Sequence, residues 1–91
     1  MKPQIENRVE HSRFEATLDG HHGYLEYATS PGLLTIVHTE VDGALEGRGV
    51  AGALVRAAVE QARQRGLKVA AVCEYARSYL DRHPEMTSMR I

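Results

Sequence analysis

The stretch that most constrains this chain is Glu46-Gly47-Arg48-Gly49-Val50-Ala51-Gly52. Before it runs an apolar, β-branched segment, Leu33-Leu34-Thr35-Ile36-Val37-His38-Thr39-Glu40-Val41. After it runs an amphipathic segment from about Gly49 to Arg65. A strand, a glycine-rich loop and a helix N-terminus in that order make an anion site. The first N–H groups of a helix have no partner within it, and the macrodipole adds partial positive charge. Glycines let a phosphate approach the backbone without a side chain in the way. Arg48 adds a cation to the same loop.

The flanking pattern predicts an α+β fold. Arg13 to Leu18 alternates polar and apolar, with Phe14, Ala16 and Leu18 on one face, which reads as a half-buried strand. Asp19-Gly20 is a hairpin signal, because glycine supplies positive φ. A second strand spans His22 to Tyr27. Ser30-Pro31-Gly32 turns the chain into the third, Leu33 to Val41. Ala51, Leu54, Val55, Ala58 and Ala62 then form an apolar helical stripe, opposite Arg56, Glu60, Arg63 and Gln64. Gly66 caps that helix. Leu67 to Cys73 reads as a fourth strand, reached by a right-handed crossover and parallel to the third. Glu74 to Arg82 is a shorter helix ended by Pro84. The expected architecture is a small, mostly antiparallel sheet with a long helix after the third strand and a short C-terminal helix. The 91 residues form one domain with a folded core from about 8 to 86. The first seven residues read as a loose lead-in and Thr87 to Ile91 as a tail.

The loop does not suit every phosphate ligand. A Walker loop needs Lys and then Ser or Thr, whereas Gly52 is followed by Ala53. The dinucleotide spacing is nominally present at Gly47, Gly49 and Gly52. However, the strands before it read as antiparallel, and Lys68 and Val69 stand where an acidic residue belongs. The third possibility is the pyrophosphate loop of acyl-CoA-dependent N-acetyltransferases. The loop, His38-Thr39-Glu40-Val41 before it, and Gly66-Leu67-Lys68-Val69 and Arg82-His83-Pro84-Glu85 after it resemble the GCN5-related N-acetyltransferases, in particular their minimal, YjdJ-like branch. The resemblance covers about Phe14 to Met86. Glu46 departs from the Gln or Arg usual at its position, which leaves the backbone cradle intact.

The resemblance implies that acetyl-CoA is the co-substrate. Thr39, Glu40 and Val41 would hydrogen-bond the pantetheine arm through their backbone. Gly47, Arg48, Gly49, Val50, Ala51 and Gly52 would surround the pyrophosphate. Cys73, at the end of the fourth strand, would sit near the thioester, either as a nucleophile or as a small apolar core residue. The adjacent carboxylate of Glu74 argues against the nucleophile. Tyr79 would protonate the leaving thiolate, or else pack on the sheet, and Tyr75 is a comparable alternative. His38 and Glu40 alternate on one strand and so share a face, where either could take a proton from an ammonium acceptor. The plainer readings are a satisfied histidine on an apolar strand beside Ile36 and a solvated carboxylate at the strand end. His83 reads as capping its turn.

Composition narrows the remaining options. The net charge of −1 and the lack of a basic stripe argue against a nucleic-acid partner. No apolar run is long enough to span a bilayer, and the N-terminus lacks a signal core. One cysteine permits no internal disulfide and fits the cytoplasm. His11, His21, His22, His38, His83 and Cys73 show no metal-ligand spacing. The leading expectation is therefore transfer of acetyl from acetyl-CoA to an amine. The family's larger members have N-terminal helices that this sequence does not display, so the acceptor side should be open, as suits an exposed lysine, a protein N-terminus or a polyamine. The alternatives are a CoA-binding module with little or no transferase activity and a small structural partner that binds no nucleotide.

Overall fold

A computed structural model describes residues 2–91, apart from the side chain of Thr87. Five strands form one sheet in sequential order: β1 (Gln4–Arg8), β2 (Arg13–Leu18), β3 (His21–Ser30), β4 (Leu33–Val41) and β5 (Lys68–Ala71). The first four are antiparallel neighbours. β5 lies parallel to β4 and is reached through helix α1 (Val50–Gln64). Helix α2 (Glu74–Asp81) follows β5, and a 3-10 turn spans Pro84–Met89. No described helix is long and apolar enough to cross a membrane.

Both ends of the chain correct the sequence reading. The supposed lead-in is β1, paired in register with β2 from Gln4↔Thr17 to Arg8↔Arg13. Only Ile5 of that segment joins the apolar face, so its pattern was too sparse to read as a strand. The supposed tail is held too. Ile91 donates its N–H to the Val69 carbonyl at 2.9 Å, Arg90 bridges Val69, and the Arg90 guanidinium binds Asp81 at 2.6 Å. These contacts protect the outer edge of β5, which would otherwise expose unpaired backbone groups.

Local chemistry explains the turns. Asp19 and Gly20 both take positive φ, 51° and 77°, as a tight two-residue hairpin requires. At the C-terminus of α1, Leu67 N–H reaches Ala62 C=O at 2.8 Å and Gly66 N–H reaches Arg63 C=O at 3.2 Å. This is a Schellman cap with Gly66 in the left-handed conformation.

The core lies between the sheet and α1. Phe14, Leu18, Leu25, Leu34 and Ile36 from the sheet meet Leu54, Val55, Ala58 and Ala62 of the helix, and no polar side chain is buried among them. Gly52 lets α2 approach α1 closely. A Cβ there would stand 2.8 Å from a ring carbon of Tyr79. The other face of the sheet carries Glu6, Arg8, Arg13, Glu15, Tyr24, Glu26, His38 and Glu40. Arg8 and Arg13 pair with Glu15 and Glu26 there, and the Arg13 guanidinium lies 4.1 Å over the Tyr24 ring.

Candidate active site

The site begins with an irregularity in β4. Opposite β3, Glu26 pairs with His38 and Tyr27 with Ile36, so Val37 is an extra residue, a β-bulge. Before the bulge, Leu34 and Ile36 face the core. After it, Thr39 stands opposite buried Leu25, and Val41 packs against the core. One inserted residue shifts the phase of the alternation. His38 and Glu40 therefore lie on the open face, with Tyr24 and Glu26, and not beside Ile36.

The bulge coincides with the end of β4–β5 pairing. The two strands are in register from Leu33↔Lys68 to Ile36↔Ala71. The Ile36 carbonyl then accepts from both Val72 N–H (2.9 Å) and Cys73 N–H (3.3 Å), and the strands part. Across the mouth of this gap the Cys73 thiol meets the Thr39 hydroxyl, Sγ to Oγ1 3.6 Å. Cys73 is half-buried and is the N-cap residue of α2.

Beyond β4, a 3-10 turn at Gly43–Leu45 leads into the glycine loop. Gly47 and Gly49 take φ of 78° and 80°, a region that side-chain-bearing residues seldom occupy. A Cβ on either would meet nothing within 4 Å, so the backbone here faces open space. Gly49 is the N-cap of α1 and supplies no capping side chain. The first helical bond recorded at this end runs from Ala53 N–H to Gly49 C=O, so the N–H groups of Val50, Ala51 and Gly52 precede it. These residues line a cleft of about 430 Å³ together with Val41 and Tyr75. An open backbone cradle, a helix N-terminus without a side-chain cap, and a path along Val41 towards Thr39 and Cys73 fit a diphosphate with an extended arm.

The sequence-predicted residues fall into three groups. Val41, Gly47, Gly49, Val50, Ala51 and Gly52 share the cleft, and Thr39 and Cys73 meet at the gap. His38 and Glu40 form a pair of their own on the open face, Nε2 to Oε1 3.1 Å, with side chains 50% and 64% exposed. The His38 ring lies 5.9 Å from that of Tyr24. Arg48 and Tyr79 stand apart. The Arg48 guanidinium binds Asp19 at 2.8 Å, and its charge holds the Asp19 carboxyl below its ordinary value. Tyr79 is buried. Its hydroxyl accepts from Arg56 at 2.7 Å and its ring stacks on His83 at 4.1 Å. Tyr75, by contrast, lines the cleft, and burial together with the nearby Tyr79 pushes its phenol pKa up. Sequence reasoning took Arg56 as part of a solvated helix face. The available signal was Gly52 one turn earlier on the same face, a mark of close approach by another element.

A strand that parts from its parallel neighbour, followed by a glycine cradle on a helix N-terminus, places this fold among the acyl-CoA-dependent acetyltransferases in form. The family model for GCN5-related N-acetyl-transferase matches residues 13–89, and the chain belongs to that family. It is 34% identical to Protein NATD1 of Xenopus tropicalis, over 92% of this chain and 84% of that protein. The solution structure of a GCN5-like protein from Staphylococcus aureus superposes with a TM-score of 0.78 at 26% identity, covering 97% of this chain and 87% of the other. A ribosomal-protein-alanine N-acetyltransferase from Brucella melitensis biovar Abortus 2308 shares the fold, at a TM-score of 0.53 and 17% identity, over 78% of this chain and 62% of its own.

Proposed function

We propose that this protein transfers an acetyl group from acetyl-CoA to a primary amine by direct attack on the thioester, in the cytoplasm. The observation that carries the reading is that β4 parts from β5 after Ile36 and ends, at Val41, in the wall of the glycine-loop cleft. The diphosphate rests on the N–H groups of Gly47, Gly49, Val50, Ala51 and Gly52, the Arg48 N–H being donated to the Leu45 carbonyl. The pantetheine arm runs along Thr39, Glu40 and Val41. The thioester lies by Thr39 and Cys73.

Within that arrangement each residue has a defined task. The acceptor arrives as an ammonium ion and must lose a proton before its lone pair can attack. The His38–Glu40 pair, on the open face at the bulge, takes that proton directly or through water. The side chains of this pair are exposed to solvent, which suits an acceptor presented on a surface or at a chain end, such as an exposed lysine, a protein N-terminus or a polyamine. The amine nitrogen bonds to the carbonyl carbon, the carbon–sulfur bond breaks, and the thiolate of CoA leaves. Tyr75, which lines the cleft, gives that thiolate its proton, and the excess proton on the new amide nitrogen passes through water to restore the phenol. Tyr79, held by Arg56 and His83, positions α2 against α1. Cys73 shapes the gap with Thr39 and forms no acyl intermediate.

Calorimetric titration with acetyl-CoA, with desulfo-CoA and ATP as controls, tests the reading. Saturable binding of acetyl-CoA, much stronger than that of ATP, is expected, followed by thiol release with an amine acceptor. No binding at millimolar ligand by folded protein would overturn it. Binding without turnover for any amine would leave the CoA-binding module, a reading favoured by the engagement of the Tyr79 hydroxyl with Arg56.

A further inference from the structure

The glycine-loop cleft has a neighbour. A hollow of about 230 Å³ lies where α2 meets the first turns of α1, and it shares Gly49, Gly52 and Tyr75 with the cleft. Its remaining walls include Arg56, Arg82 and His83. Among the described residues, neither Arg56 nor Arg82 forms an ion pair. Arg56 spends one N–H on the Tyr79 hydroxyl, and the Arg82 side chain has no hydrogen-bond partner among the described residues. The acid at this margin, Glu85, is bound to the His83 ring at 3.1 Å. On the loop itself the position is reversed, because Arg48 is already neutralised by Asp19. The cation expected to serve the loop is engaged, while two guanidinium groups with no ion-pair partner among the described residues line the adjoining hollow.

We propose that this hollow binds a second phosphate of the same ligand, a phosphate monoester, with Arg56 and Arg82 as its charged partners. The inference rests on the CoA reading above. CoA carries a diphosphate and, separately, a 3′-phosphate on its ribose. A ligand whose diphosphate lies on Gly49 to Gly52 extends past those shared residues into the hollow. Guanidinium groups suit a phosphate dianion, because they donate in a planar fork and stay charged at any working pH. The hollow is thus a selectivity element, favouring CoA over nucleotides that lack the monoester.

The experiment compares CoA with 3′-dephospho-CoA by calorimetry, on the wild type and on Arg82→Gln. Arg82 is exposed, so its replacement leaves the fold in place. The wild type is expected to bind CoA at least about tenfold more tightly than dephospho-CoA. Arg82→Gln should lose most of that preference while keeping its affinity for dephospho-CoA. The CoA advantage of the wild type should also shrink in higher salt. Equal binding of the two ligands by the wild type, or equal weakening of both by Arg82→Gln, would overturn this inference and leave the CoA reading standing. Binding of neither ligand by the wild type would overturn both.

Discussion

The two halves of β4 belong to one strand and have opposite roles. Leu33 to Ile36 is paired on both sides, to β3 and to β5, and Leu34 and Ile36 are fully buried. His38 to Val41 is paired to β3 alone, and the bulge residue Val37 is 45% exposed although it is as apolar as its predecessors. Between them lies one extra residue. The first half is a core strand whose side chains are chosen for volume. The second half has its backbone open to the gap, its odd-numbered residues towards the core and its even-numbered pair, His38 and Glu40, on the open face. A site can thus be made from a core strand by one change of phase and one loss of a neighbour.

Five substitutions or deletions test that contrast, with the largest expected effect first and the smallest last. Ile36→Ala, in the first half, should cost about 2–5 kcal/mol of stability, because it leaves a cavity under α1. Urea denaturation measures it. The matching change one residue on, Val37→Ala, should cost no more than about 0.5 kcal/mol. If the two cost the same, the halves are not distinct.

Deletion of Val37 asks what the bulge does. Its removal keeps Thr39 and Val41 towards the core and His38 and Glu40 on the open face, since the strand then alternates regularly from Ile36. The fold should survive, as judged by a cooperative melt. The parting of β4 from β5 should not, and acetyl transfer should fall by at least about 100-fold, as expected when reacting groups are displaced by an ångström or more. Retention of full turnover would show that the bulge is incidental to the site.

A smaller effect is expected for His38→Gln. The side chain is half-exposed, so the melting temperature should hold within about 2 °C. Turnover should drop by about tenfold to 100-fold with acetyl-CoA affinity unchanged, the signature of a lost proton acceptor and not of lost binding. An equal loss of acetyl-CoA affinity would move His38 out of the acceptor side and into the cradle.

The smallest effect concerns the cation of the loop. Asp19→Asn releases Arg48, and CoA should then bind about twofold to threefold more tightly, with little change in melting temperature because the pair is exposed. The pH dependence has a defined sign. The Asp19 carboxyl is lowered in the folded state by Arg48, so any contribution of the pair to stability is present above the ordinary carboxylate range. It disappears as the pH falls through the lowered value. Asp19→Asn should remove that dependence.

Much of this was legible in the sequence for identifiable reasons. The α1 boundaries lie within a residue of those expected, because an alanine-rich stripe, a glycine N-cap and a glycine C-cap all act locally. The hairpin at Asp19-Gly20 was legible because positive φ demands those residue types. β1 was not, since a strand that contributes one apolar residue is stabilised by its partner rather than by its own pattern. Regular alternation would put His38 and Glu40 on the same side as Leu34 and Ile36. They share a face as expected, and the bulge turns that face away from the core.

The candidate site divides the same way. The glycine cradle is a property of consecutive residues, so its place at the N-terminus of α1 was written in their order. The partners of Arg48, Arg56 and Tyr79 are 29 and 23 residues away in the chain, and no local rule selects them. Sequence by itself determined the strand, loop and helix that form the cradle, because backbone conformation follows from neighbours a few residues apart. Only the tertiary structure decided which cations are neutralised, which tyrosine lines the cleft and which face the histidine takes. Those outcomes depend on charges and surfaces that meet only when distant segments pack.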